Sequence, residues 1–344
     1  MDQKKYFTAS YLALFLVATI FLTTSSCDRD LEDPAGPSLI DRFADFESVD
    51  TLTASQNTVD FAAGGTVFFR AAFNKSVDWI LRIEGMQSGA VKVIEGFDLR
   101  LDESNATWNG TATTPPLFRD EECMVTLSIP EEPSYGDTLM ITSLSQRPLP
   151  TNFLVTDFES DPGANIILGN FEFKLVLAET GRRSDFPAVV GDFYYILTGN
   201  PNPDFNPFFL GLVDIKSSIA GNPYMQLPQA SPSQIYFNWF MWHDASPHAM
   251  ASVQIAVDSN DSGDFEDGQD AIFSSENNLM LMHTGWRHYS FTMADLGMTS
   301  DDVEKIVAIR IVLLSDHDNQ PTPPLQVRFA VDYLTFTIGQ PLSF

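Results

Sequence analysis

Short apolar segments, each closed off by Gly, Pro, Asn or Asp, follow one another along nearly the whole chain. Between Ser48 and Leu144 they read "TVFFRAAF", "VDWILRI", "VKVI" and "MVTLSI". Beyond Asn152 they read "NFLVTDFES", "DFYYILTG", "SQIYFNWFMWH", "ASVQIAVDS", "KIVAIRIVLLS" and "LQVRFAVDYLTFTI". Runs of this length, rich in β-branched and aromatic residues and bounded by turn formers, are strands rather than helices. The chain is therefore expected to be all-β, with one short helical piece at Ser300 to Glu304. "SQRPLPTN", Ser145 to Asn152, holds two prolines and no periodicity and divides the strands into two groups. Residues 48–148 are expected to form an immunoglobulin-like sandwich that serves as a spacer. Residues 153–344 carry more strands than one simple sandwich needs and are expected to form a larger, galactose-binding-like jelly roll.

Ahead of these strands the chain runs from Lys4 and Lys5 through an apolar stretch, Tyr11 to Leu22, to "TTSSC" ending at Cys27. A basic start, an apolar core too short to span a bilayer and small residues before a break describe a secretory signal. With the break at a Cys, residues 1–27 resemble a bacterial lipoprotein signal in which Cys27 becomes the acylated first residue. An ordinary signal with an incidental Cys is the alternative. The other cysteine is Cys123, so no intramolecular disulfide framework accounts for Cys27. Residues 28–47 are acidic and contain Pro and Gly, as suits a flexible tether. An acidic run behind a lipidated Cys resembles the surface-export signal of Bacteroidetes lipoproteins, which implies the cell surface, on the outer membrane. With 46 Asp and Glu against 19 Lys and Arg the chain has a formal charge of -27. A field of that sign repels phosphate backbones, so nucleic acid is not expected as a partner.

Three stretches carry candidate chemistry. "DSNDSGDFEDGQD" follows the alternating strand "ASVQIAV" and approximates a calcium loop, with Asp258, Asn260, Ser262 and Asp264 as successive oxygen positions around Gly263. Gln269 stands where a bidentate Glu closes such loops, so Asp267 or Asp270 would have to complete the shell. A structural calcium ion and a metal-free acidic hairpin are both open. "YFNWFMWH", Tyr236 to His243, places Tyr236, Asn238, Phe240 and Trp242 on one face of a strand and Phe237, Trp239, Met241 and His243 on the other. Either one face is an aromatic platform for sugar rings, with Trp242 and His243 accessible at its end, or both faces are core. The loop from Thr198 to Phe209, with Phe205 and Asn206, has the amides and aromatics of a sugar-binding loop and equally those of any turn.

His243 with His248 and His283 with His288 are each five apart, a spacing that puts partners on opposite faces of a strand and makes no local zinc site. Glu159 and Glu172 could flank a glycosidic bond, but nothing selects them over other carboxylates. No nucleophile elbow or phosphate-binding loop is present, and an enzyme is not expected.

From "VQIAVDSNDSGDFEDGQDAIFSS" through "TGWRHYSFTMADLG" to "KIVAIRIVLLS" and "VRFAVDYLTFTIGQPL", the chain resembles the C-terminal β-sandwich of Bacteroidetes cell-surface glycan-binding lipoproteins of the starch-utilisation type. The resemblance implies a lipid anchor and immunoglobulin-like domains that hold a carbohydrate-binding jelly roll away from the cell, beside a TonB-dependent transporter. It implies a non-catalytic protein that binds poly- or oligosaccharide for uptake. A structural or adhesive surface protein contacting another protein is the alternative, and a glycoside hydrolase a third.

Overall fold

The computed structural model describes residues 45–159, 166–168, 177–199, 208–217, 221–244, 249–275, 279–280, 283–315 and 326–344. Cys27 and residues 28–44 of the tether lie outside these residues, whereas its last three, Asp45 to Glu47, are held on the first unit by Asn74 and by the packing of Phe46 on Tyr135. Within them the chain is almost wholly β, as the punctuated apolar runs predict.

The first unit holds β1 (Ser48–Ala54), β2 (Thr58–Asp60), β3 (Val67–Gly85), β4 (Val91–Leu101), β5 (Thr107–Trp108), β6 (Glu122–Ile129) and β7 (Glu132–Ser145). They join in one sheet ordered β1-β3-β6-β7-β2, with β4 and β5 also paired to β3. The long β3 serves where two strands would: Phe69 to Phe73 pair with β1, and Ile80 to Gly85 pair with β6. Its alternate residues Phe69, Ala71, Phe73, Val77, Trp79, Leu81 and Ile83 are all buried. They close on Trp108 and Phe118, whose rings meet edge-on at 4.7 Å. Glu121 is buried too, but its carboxylate accepts from the N–H groups of Gln87, Ser88 and Arg119, which fixes the β3–β4 turn to the start of β6.

Gln146 to Thr151 carry no strand, as their prolines require. The second unit is a two-layer, jelly-roll sandwich. Its strands are β8 (Phe153–Thr156), β9 (Ile166–Leu168), β10 (Leu177–Arg183), β11 (Tyr194–Gly199), β12 (Phe208–Lys216), β13 (Ile235–Asp244), β14 (Ala249–Val257), β15 (Ala271–Ser274), β16 (Leu279–Met280), β17 (Thr284–Thr292), β18 (Ile306–Ser315) and β19 (Val327–Ile338). The front sheet runs β10-β11-β19-β13-β17 with β8 on β19, and the back sheet β15-β14-β18-β12-β9 with β16 on β14. Leu197, Phe237, Trp239, Phe329 and Phe336 from the front meet Val213, Val253, Ile255, Ile309 and Ile311 from the back. Each such side chain contributes about 1.5–3 kcal/mol on full burial. The helix is where the sequence puts it, at α1 (Ser300–Glu304), and a capping box between Thr299 and Asp302 starts it.

The outer face of the front sheet is also dry. Tyr194, Ile196, Phe240, Trp286, Ala330 and Tyr333 belong to the same apolar cluster as the core of the first unit. The main chain joins the two units as well, the N–H of Leu117 donating to the carbonyl of Val189 at 3.1 Å. Both faces of "YFNWFMWH" are therefore core along most of its length, because one faces the back sheet and the other lies under the segment Phe186–Val190 and the C-terminal residues Leu342 and Phe344.

Candidate functional site

Where the two units meet, a groove of about 540 Å³ is lined by Arg119, Ser184, Asp185, Phe186, Pro187, Asp192 and Phe193. Arg119 comes from the first unit, and the others from the loop between β10 and β11. That loop is held at both ends. Asp332 of β19, fully buried, accepts from the N–H of Val189 at 2.7 Å and of Val190 at 3.2 Å. Burial pushes its carboxyl well above the usual range, against the pull of these hydrogen bonds. Glu159 accepts from the N–H groups of Asp192 at 2.9 Å and Phe193 at 2.8 Å. Gly191 lets the chain pass this close, since it takes φ +64° and any Cβ there would strike the Glu159 carboxylate.

Phe186 is wedged between Tyr194 and Trp242, stacked at 4.1 Å and 4.4 Å between ring centroids. Trp242 and Tyr194 stand on the strands either side of β19, which offers the small Ala330 opposite Trp242. The Arg328 guanidinium lies 5.4 Å from the Trp242 ring and donates to Asp185 at 2.9 Å. A hydrogen bond from the Tyr194 hydroxyl, supported by Arg328, holds the Asp185 carboxyl below its ordinary range. Arg119 donates to Asp192 at 3.2 Å and to the Ala188 carbonyl at 3.3 Å. The Arg182 guanidinium covers the Phe193 ring at 3.3 Å. The arrangement is an open cleft with aromatic side chains in its wall and paired charges at the rim.

Of the residues singled out in the sequence, two support this groove without lining it: Trp242, half-buried, stacks on Phe186, and Glu159 holds the backbone of Asp192 and Phe193. His243 does not join it. Strand alternation turns its ring to the opposite side, where it is buried, makes a 3.2 Å contact from Nδ1 to the carbonyl of His283 and is pushed down in pKa by burial. Phe205, Asn206, His248 and Glu172 lie outside the described residues. The groove's own residues were missed, although a signal was present: "SDFPAVVGDF" repeats an Asp–Phe pair around Pro and Gly.

The acidic loop lies over the back sheet, away from the groove. Asp258, buried at the end of β14, accepts from the N–H groups of Asn260, Ser262 and Gly263 and from the Tyr224 hydroxyl. Burial works against its charge, and the N–H bonds more than offset it, so its pKa is lowered. Gly263 makes the turn at φ +75°. Asp270 accepts from Ser259 and Glu266 N–H groups at 3.0 and 2.7 Å. Asn260 donates to Glu266, and Ser262 to the Asp264 carbonyl. Asp264 lies 3.7 Å from Lys216, and Asp267 3.1 Å from Arg310, whose other nitrogens grip Asp214 at 2.7 and 3.0 Å. Among the described residues no group of three or more His, Cys, Asp or Glu side chains is placed to hold a metal ion.

No protein-family model and no curated protein matches the chain. Among solved structures it is similar to a carbohydrate-binding module of the β-sandwich superfamily, at 12% identity and a TM-score of 0.36, over 85% of this chain and 98% of that one. It is similar to a family 11 carbohydrate-binding module from Clostridium thermocellum, at 13% identity and a TM-score of 0.34, over 55% of this chain and 96% of that one. It is also similar to SGBP-B from a complex xyloglucan utilisation locus in Bacteroides uniformis, at 10% identity and a TM-score of 0.34, over 80% of this chain and 78% of that one. Likenesses at this level say nothing of what this chain binds.

Proposed function

We propose that the protein is a non-catalytic, lipid-anchored protein of the outer-membrane surface that holds a poly- or oligosaccharide in the groove between its two β-units for uptake. The groove itself carries the reading: Phe193, one ring face of which lies under Arg182, and the edge of the stacked Phe186 line it with apolar surface, and Asp185, Asp192 and Arg119 stand beside them at the rim. Sugar rings present apolar C–H faces edged by hydroxyls, which such a pairing of rings and polar groups matches. The signal ending at Cys27 and the acidic tether support the anchor, and the resemblance of the last strands to surface glycan-binding lipoproteins supports the ligand class. Under this reading the first unit, taken as immunoglobulin-like, is more than a spacer, because Arg119 belongs to the groove. A TonB-dependent transporter is the partner this placement implies.

Titration calorimetry with a panel of polysaccharides tests the site. Phe193→Ala is expected to weaken binding by about tenfold, equivalent to 1.4 kcal/mol, with little change in melting temperature. Trp242→Ala is expected to act mainly on stability, because its ring supports Phe186. A Phe193→Ala protein that binds as wild type places the site elsewhere.

A further inference from the structure

We infer that the groove takes an uncharged, hydroxyl-rich glycan and rejects polyanionic ones; this deepens the glycan reading above and rests on it. Four guanidiniums border the loop, those of Arg119, Arg182, Arg183 and Arg328, and each has partners within the protein. The terminal nitrogens of Arg119 turn to Asp192 and the Ala188 carbonyl while its Nε is buried away from solvent, Arg328 turns to Asp185, Arg182 to the carbonyls of Phe158 and Glu159, and Arg183 to the carbonyl of Arg182. Among the described residues beside the loop, no solvent-facing cation is left over to receive a carboxylate or sulfate group.

What faces solvent is acceptor. The Asp192 side chain is 74% exposed, and with Oδ1 on Arg119 its Oδ2 has no partner among the described residues. Asp185 is 55% exposed beside it. Ionised carboxylates only accept hydrogen bonds, so their natural complement is a ligand rich in donors, which the hydroxyls of a neutral sugar are. A uronate or sulfate group brings more acceptors and more negative charge to a chain already at -27. Discrimination therefore comes from repulsion at the rim as much as from attraction at the rings.

The full chain is titrated with a neutral panel of glucans, mannans, xylans and galactans and with an anionic panel including polygalacturonate, at about 0.05 and 0.5 M salt, either side of strong charge screening. The expected result is binding confined to the neutral panel, with Kd changing by less than about twofold between the two salts. Binding of an anionic polymer, alone or beside a neutral one, with affinity that falls as salt rises, overturns the inference and leaves the glycan reading standing. Binding to neither panel overturns both. Asp192→Lys, which releases Arg119 and reverses the exposed charge, is expected to admit polygalacturonate at least tenfold more tightly than wild type. If it does not, the exclusion is not set at this rim.

Discussion

His288 shows how much a single buried titratable group can decide. It sits between Phe240 and Phe344, with ring centroids 5.1 and 5.2 Å away, and Nε2 donates to Asn238 Oδ1 at 3.2 Å. Burial pushes its pKa down to about 4. A folded-state value below the unfolded one, about 6.5, means that the contribution is complete above pH 6.5 and is lost as pH falls towards 4. Its size is about 2–3 kcal/mol, allowing for partial exposure. His243 and His283 are lowered by burial in the same direction. Asp332 acts in the opposite sense, its raised pKa favouring the fold at low pH. Comparison with a variant isolates the imidazole: in His288→Gln the loss of melting temperature between pH 6.5 and 4 is expected to be shallower than in wild type. Parallel curves would assign the pH dependence to other groups.

At the level of elements, the acidic loop and β19 each depart from regular structure for a reason. In the loop, repulsion among Asp258, Asp261, Asp264 and Asp267 is offset by Lys305, Lys216, Arg310 and backbone N–H donors. Calcium would have to compete with those donors, and remains a proposal for this loop. Asp258→Ala strands several N–H groups, each worth about 1–3 kcal/mol if left unsatisfied in a buried site. It is therefore expected to lower the melting temperature in chelator as well as in calcium. A loss seen only with calcium present would assign the loop's order to the metal. In β19, Tyr333 adopts φ +46° where the register with β13 shifts. A non-glycine residue there costs on the order of 1–3 kcal/mol, a strain that falls beside the Asp332 carboxylate clamping the groove loop.

For the whole molecule the proposed arrangement is an anchored pair of β-units with the groove at their junction. The anchor is tested by Cys27→Ser, which is expected to abolish fatty-acid labelling and release the protein from membranes. Equal labelling of wild type and variant would end the lipoprotein reading. The pairing of the units was not visible in the sequence, because the prolines of "SQRPLPTN" mark only a linker that divides the strands into two groups. Yet Leu117, Arg119 and the shared apolar cluster tie the second unit to the first.

Local signals in the sequence were enough for the all-β class, the short helix at Ser300 to Glu304 and the turn at Gly263, because each depends on periodicity or φ preference within a few residues. The two faces of "YFNWFMWH" were also legible as two faces, but not what covers them. That depended on residues such as Ala188, Val189 and Leu342, about 50 or 100 positions away. The groove was likewise decided only in three dimensions. Phe186 and Phe193 are ordinary loop residues until Asp332, Glu159 and Arg119, distant in the chain, fix the backbone between them, and sequence spacing carries no record of such long-range hydrogen bonds.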